Sequence, residues 1–244
     1  MSSFAANDVT VVVPAFNAEH TVVRTLESLC AQSAGRPRVV VVDDGSTDDT
    51  AAVAAAAGAE VVRRRNGGPG AARNTGVAEV RSMLLAFCDA DDVWPVDRLT
   101  DDLEHLRLHP TTGLLLGRTH FDADDDALLD GMHFDRDDRS ALIPHFGASI
   151  MRAEVMTQVG PIAEDMHNYE DYDWFLRARE RGVQFVSHDR VSLHRRMHRG
   201  STSQTRPGDT ADLLATLQRS LRRRRVEGVG TLPTLHDLRE GSTS

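Results

Sequence analysis

The chain has 244 residues, 40% hydrophobic and 27% charged, which excludes wholesale disorder and suits one sizeable domain with at most a small appendage. Its formal net charge of -9, with every basic side chain an arginine, excludes the basic footprint that nucleic-acid binding favours. Cys30 and Cys88 have neither disulfide nor zinc spacing, no apolar run approaches the ~18 residues that span a bilayer, and MSSFAANDVTVVVP carries no basic leader, so a cytoplasmic protein with free thiols is expected.

Val9 to Val13 reads as a buried strand, Glu19 to Ala31 as an amphipathic helix and Val39 to Val42 as a second buried strand. Asp48 or Asp49 is placed to cap an alanine-rich helix over Thr50 to Ala57, and Glu60 to Arg63 follows as a third strand. The glycine-rich Asn66 to Gly70 leads into a helix over Ala71 to Val80 and a strand over Met83 to Cys88. Strands without polar alternation, separated by helices, predict a mostly parallel sheet covered on both faces, with ligands beyond the strands' carboxyl ends. Pro14 to Asn17, Asp43 to Ser46 and Asp89 to Asp92 all fall at such ends.

Later elements are less sharply marked. Arg98 to His109 predicts a helix, Gly113 to Gly117 a short strand, and Asp122 to Arg139 an acidic mobile loop. Leu142 to Met151 reads as strand-like, Arg152 to Val159 as a short helix, and Asp171 to Gly182 as a helix closed by Gly182. Two late strands are expected at Val183 to Val186 and Val191 to Leu193, then a loop over Arg199 to Asp209 and a helix over Thr210 to Arg225. The run Arg222 to Arg225 reads as a solvated helix end and leaves contact with an anionic membrane surface or an acidic acceptor as the alternatives.

The chemistry concentrates in Asp89-Ala90-Asp91-Asp92, after an apolar strand. Carboxylates two residues apart on extended chain point the same way and can share a divalent cation, which stabilises charge developing on a leaving pyrophosphate. A D-x-D pattern alone is weak. It is joined in order by Val11-Val12-Val13-Pro14-Ala15-Phe16-Asn17, Val41-Val42-Asp43-Asp44-Gly45-Ser46, Asn66 to Gly76 with Ala72-Arg73-Asn74, and Glu170-Asp171-Tyr172-Asp173. From residue 9 to about 180 this series resembles the family 2 glycosyltransferases.

The resemblance implies an α/β fold of the GT-A type, a mostly parallel central sheet with helices on both faces. It divides the chain into a glycosyltransferase domain over 1–205, with a nucleotide-binding half at about 8–110 and an acceptor half at about 111–205, and a C-terminal helix and tail over 206–244. The implied activity is inverting transfer of a sugar from a nucleotide diphosphate, most readily a UDP-sugar, to an acceptor hydroxyl. Pro14, Phe16, Asn17 and Glu19 would border the base and ribose, and Asp44 would accept an imide N–H of the base. Arg73 and Asn74 would lie under the nucleotide and hold the Asp89 segment, Asp89 would approach the ribose, and Asp92 would stand near the sugar. Asp91 would bind Mn2+ or Mg2+, with His198 as a candidate further ligand. Asp171 would be the general base, with Glu170 and Asp173 left open as alternatives.

The partners implied are a nucleotide-sugar donor and an acceptor whose identity stays open: a glycan, a lipid-linked sugar, a peptide or a small natural product. A Rossmann dinucleotide fingerprint does not fit, because strand one runs into Pro14 and Phe16 where that fingerprint needs its glycines. A nucleotidyltransferase would carry a glycine-rich basic loop there. A catalytically degenerate scaffold on the same fold stays the non-enzymatic alternative.

Overall fold

The computed structural model describes residues 4–130, 132, 134, 136–166, 168–198 and 210–232. Strands β1 (Val9–Ala15), β2 (Arg38–Asp43), β3 (Glu60–Arg63) and β4 (Leu84–Phe87) alternate with helices α1 (Val22–Cys30), α2 (Thr50–Ala56) and α3 (Pro69–Ala78). Val11 to Val13, Val40 to Val42 and Leu84 to Phe87 have no exposed surface, which is why these strands read as unbroken apolar runs. β2 and β4 flank β1, both parallel to it, and β3 runs parallel to β2. The chain therefore leaves β1 on one side and returns on the other, which opens a crevice beyond the carboxyl ends.

The second half adds α4 (Arg98–Leu108), β5 (Leu114–Ala123), β6 (Ser140–Ala141), β7 (Ser149–Arg152), α5 (Glu154–Val159), α6 (Glu170–Glu180), β8 (Phe185–Met197) and α7 (Thr210–Glu227). The sheet order is β3-β2-β1-β4-β7-β5-β6, with β8 paired to β5. β7 is antiparallel to both β4 and β5, whereas β8 runs parallel to β5. Helix α7 packs on α6 through Ser220 to Glu180 and through Arg223 to Asp173 and Glu180. Among the described residues no helix is long and apolar enough to cross a membrane.

Four expectations change. Helix α1 begins at Val22, not Glu19, because the Glu19 N–H donates to Asp48 Oδ2 and its carboxylate accepts from the Asp49 N–H, tying it to the loop after β2. Only Ser149–Arg152 of the segment expected as a strand from Leu142 is one. Before it Phe146–Ala148 makes a 3-10 turn, because Phe146 packs its ring 4.9 Å from Phe87 and 5.3 Å from both Trp174 and Phe175. The acidic stretch from Asp122 is structured at its start: β5 runs to Ala123, and Leu128 and Leu129 join Phe121, Ala141 and Met197 in a small apolar cluster. The two late strands are one, β8, whose ladder with β5 shifts register at Arg118. The loop expected over Arg199 to Asp209 lies outside the described residues.

Helix α3 lies directly on the sheet at Gly76. A Cβ there would meet Val12 Cγ1 at 2.3 Å and Val42 Cγ2 at 3.1 Å, both on buried, β-branched strand residues with little freedom to yield. Gly76→Ala is therefore expected to destabilise the chain by about 1–3 kcal/mol despite the better helix propensity of alanine, read as a lower urea midpoint at unchanged slope.

Candidate active site

The loop after β2 is built by its own polar groups. Asp43 Oδ1 accepts the Ser46 N–H at 3.0 Å, a local turn that makes this carboxylate structural. Asn17, in the left-handed region at φ 50°, accepts the Thr47 N–H at 2.9 Å, and its own N–H donates to Ser46 Oγ. Asn17 and Glu19 thus clasp the loop after β2 to the loop after β1, while Pro14 lies within the last pairs of β1, beside Val42, and Phe16 stands 51% exposed at the rim. Asp44 is buried, accepts from Arg64, from the Gly67 N–H and from the Gly68 N–H at 2.8 Å, and so orders the glycine-rich approach to α3.

Arg73 sits at the centre of the crevice. From α3 its Nη2 donates to Asp89 Oδ1 at 2.7 Å and its Nη1 to Glu170 Oε1 at 2.8 Å, and its guanidinium lies 5.5 Å from the Phe146 ring centroid. One buried cation joins the loop after β4 to the start of α6. Burial opposes its charge, but Asp89, Glu170 and Asp171 outweigh that and raise its pKa. Asn74 points elsewhere: its amide donates to Ile162 O and Glu164 Oε1 and accepts the Ile162 N–H, so it holds the loop before α6 and makes no hydrogen bond to the Asp89 segment.

The three carboxylates after β4 have different environments. Burial pushes Asp89 up, yet Arg73, His145 and Arg195 together hold it below its ordinary value. Asp91 is raised, by burial and by the Asp89 charge, against the pull of His198, whose Nε2 lies 3.2 Å from Asp91 Oδ2. Asp92 is 2% exposed and raised further by burial, Asp91 and Asp89. Its Oδ1 accepts the Arg196 N–H at 2.9 Å, so it braces β8 and is not part of the open surface where a sugar would lie.

At the start of α6 the structure separates the candidate bases. Tyr169, left-handed at φ 61°, turns the chain into the helix. Glu170 is bound to Arg73, and Asp173 is bound to Arg177 Nε at 2.9 Å and Arg223 Nη1 at 2.8 Å. Asp171 has no ion-pair partner among the described residues; its Oδ1 accepts the Tyr172 N–H at 2.8 Å. Burial and then the Glu170 charge push it up to about 7, against opposition from Arg73.

Two contributors have no sequence signal. His145, beside the 3-10 turn, accepts the Gly147 N–H on Nδ1, which leaves the proton on Nε2, 4.0 Å from Asp89 Oδ2. Burial and Arg195 depress its pKa to about 3, so it is neutral. Arg195, on β8, acts on Asp89, Asp91, Asp92 and Asp171 together and is the second cation of the crevice. Strand alternation beside His194 and Arg196 identifies it once β8 is known to be a strand.

Residues 10–159 match the family described as Glycosyl transferase family 2. The chain belongs to that family. Over 101 residues it is 46% identical to the succinoglycan biosynthesis protein ExoO of Rhizobium meliloti (strain 1021), covering 40% of this chain and 29% of that relative's length. The family's GT-A fold is shared with S. aureus TarS 1-349 in complex with UDP-GlcNAc, at TM-score 0.71 and 20% identity over 93% of this chain and 68% of that one. It is shared too with the mannosyltransferase PcManGT of Pyrobaculum calidifontis in complex with GDP-Man and Mn2+, at TM-score 0.65 and 18% identity over 93% of this chain and 66% of that one.

Proposed function

We propose that the chain transfers a sugar from a nucleotide diphosphate donor, a UDP-sugar first, to an acceptor hydroxyl by inverting single displacement. The observation that carries this reading is the joint placement by Arg73 of Asp89 and Glu170, with Asp171 beside them raised to about 7. A carboxylate poised near neutral pH is suited to accept the acceptor hydroxyl's proton. Asp89 would approach the ribose of the donor, and Arg195 offsets the negative charge of the Asp89 segment.

The donor set fits a divalent ion: Asp91 and His198 lie together, are 31% and 27% exposed at their side chains, and Asp91 is raised by burial and by the Asp89 charge, both of which a bound cation would offset. Bound Mn2+ or Mg2+ would neutralise the leaving pyrophosphate. Asp44 accepts four hydrogen bonds from three donors, Arg64, Gly68 and a Gly67 N–H shared between both oxygens, so the imide N–H of uracil would take the site that Gly67 gives up by settling on one oxygen. The UDP-GlcNAc complex of TarS supports a uridine donor, and the GDP-Man complex of PcManGT keeps guanosine as the comparison.

Calorimetric titration with UDP, GDP and dTDP, each with and without Mn2+, tests this. UDP is expected to bind in a Mn2+-dependent manner, and Asp91→Ala to weaken that binding by at least about tenfold, the loss expected even for an outer partner of a metal site. Failure of all three nucleotides to bind would leave the non-enzymatic scaffold as the better reading. Binding of GDP alone would move the donor class.

A further inference from the structure

β5 and β8 lie side by side with His120 opposite His194 and Asp122 opposite Arg196. Strand side chains alternate, so His120, Asp122 and His194 share a face, and His194 points away from the side on which Arg195 acts on Asp89 and Asp91. Asp122 stands between the two imidazoles, Oδ1 3.2 Å from His120 Nε2 and Oδ2 3.3 Å from His194 Nδ1. One ligand atom from each residue lies within 4.8 Å of the other two.

We propose that His120, Asp122 and His194 form a zinc-class transition-metal site, separate from Asp91 and His198, that clasps β5 to β8. Zinc bonds of about 2.0–2.1 Å in a tetrahedron put neighbouring ligand atoms about 3.3–3.4 Å apart, close to the 3.2 and 3.3 Å of the two carboxylate–imidazole pairs, each made through a different Asp122 oxygen. Two imidazoles with one carboxylate suit Zn2+ or Co2+, whereas Mg2+ and Mn2+ favour sets richer in oxygen, such as a carboxylate with pyrophosphate oxygens. The side chains of His120, His194 and Asp122 are 25%, 36% and 48% exposed, so ions reach them and water can complete the coordination.

The position gives the clasp a consequence. His194 pairs its backbone with Val93 in both directions, at 2.9 and 3.1 Å, directly after the Asp89 to Asp92 turn. The same strand then delivers Arg195 to the crevice and the Arg196 N–H to Asp92, and the residue that follows it, His198, meets Asp91. An ion held at His194 would fix the strand that presents these groups.

The test is titration of the metal-free full chain with Co2+, followed by visible absorption, with Zn2+ as competitor. Saturable absorption that Zn2+ displaces is expected in the wild type and, undiminished, in an Asp91→Asn/His198→Ala double variant. His120→Ala and Asp122→Asn should each weaken it by at least 10–100-fold while the far-ultraviolet circular dichroism matches the wild type. If His120→Ala does not fold, His194→Gln decides in its place. Two results overturn the site: no saturable absorption in the wild type, which would leave Asp122 as a carboxylate shared by two imidazoles only, or absorption lost in the double variant and kept in His120→Ala. Neither result bears on nucleotide binding, which tests the donor site separately.

Discussion

Asp171→Asn is expected to lower kcat for sugar transfer by about 10²–10⁴-fold, the contribution of a positioned general base, while UDP affinity stays within about twofold. The amide keeps the shape and the bond from the Tyr172 N–H but cannot take the acceptor's proton. With the carboxyl pushed up to about 7, the free enzyme holds its base in the active form only above that pH. The wild-type kcat/KM should therefore climb about tenfold per pH unit below 7 and flatten above it, and the residual rate of Asp171→Asn should lack that limb. Wild-type-like turnover in the variant would reassign the base.

The same shift has a stability consequence of opposite sign. The folded pKa of Asp171 lies above the ordinary value of 3.8, so the folded state binds the proton more tightly than the unfolded chain. Stability falls as pH rises from that value through about 7, and the penalty is complete above it. Asp171→Asn should thus melt higher than the wild type at pH 8, by about 2–4 °C per kcal/mol relieved, and show no such gain at pH 4. A carboxyl kept where it costs stability is the usual sign of a functional group.

The first four strands were legible because burial on both faces leaves no polar alternation, and their loops were legible because the chemistry follows the strands' carboxyl ends. The far ends of β5 and β8 were not. Arg118 to Ala123 alternates with polar residues and carries no strand signal, and within His188 to Met197 only Val191 to Leu193 reads as strand; the ladder between them, formed across some seventy residues, makes both continuous strands. His145 was invisible for a related reason: its position depends on Phe146 filling an aromatic cluster, a tertiary event with no periodic trace. Asp173 and Asp171 are separable only once the helix start is known, since residues two apart on a helix point to opposite sides. Asp173 then faces Arg223 of α7, whose contacts no local pattern predicts.

Removing Arg73 should produce the largest loss of stability among single side-chain truncations at the site. Its side chain is 6% exposed, and it neutralises Glu170 at 10% and Asp89 at 28% exposure. Taking one partner from a buried ion pair leaves an uncompensated charge, which costs about 3–5 kcal/mol. Arg73→Leu is therefore expected to lower the urea midpoint sharply at pH 8. The wild-type Asp89 carboxyl is held below its ordinary value, so its pairing contributes stability above the unfolded pKa and loses it as pH falls through the folded one. In the variant that contribution reverses: without the guanidinium, burial governs and the carboxyl prefers its proton. The gap between variant and wild type should then narrow from pH 8 toward pH 4, and a gap independent of pH would show that packing against Phe146, not charge, is what Arg73 supplies. Arg73→Lys should recover only part of the loss, because a compact ammonium on a flexible stem cannot present the planar fork that reaches Asp89 and Glu170 at once.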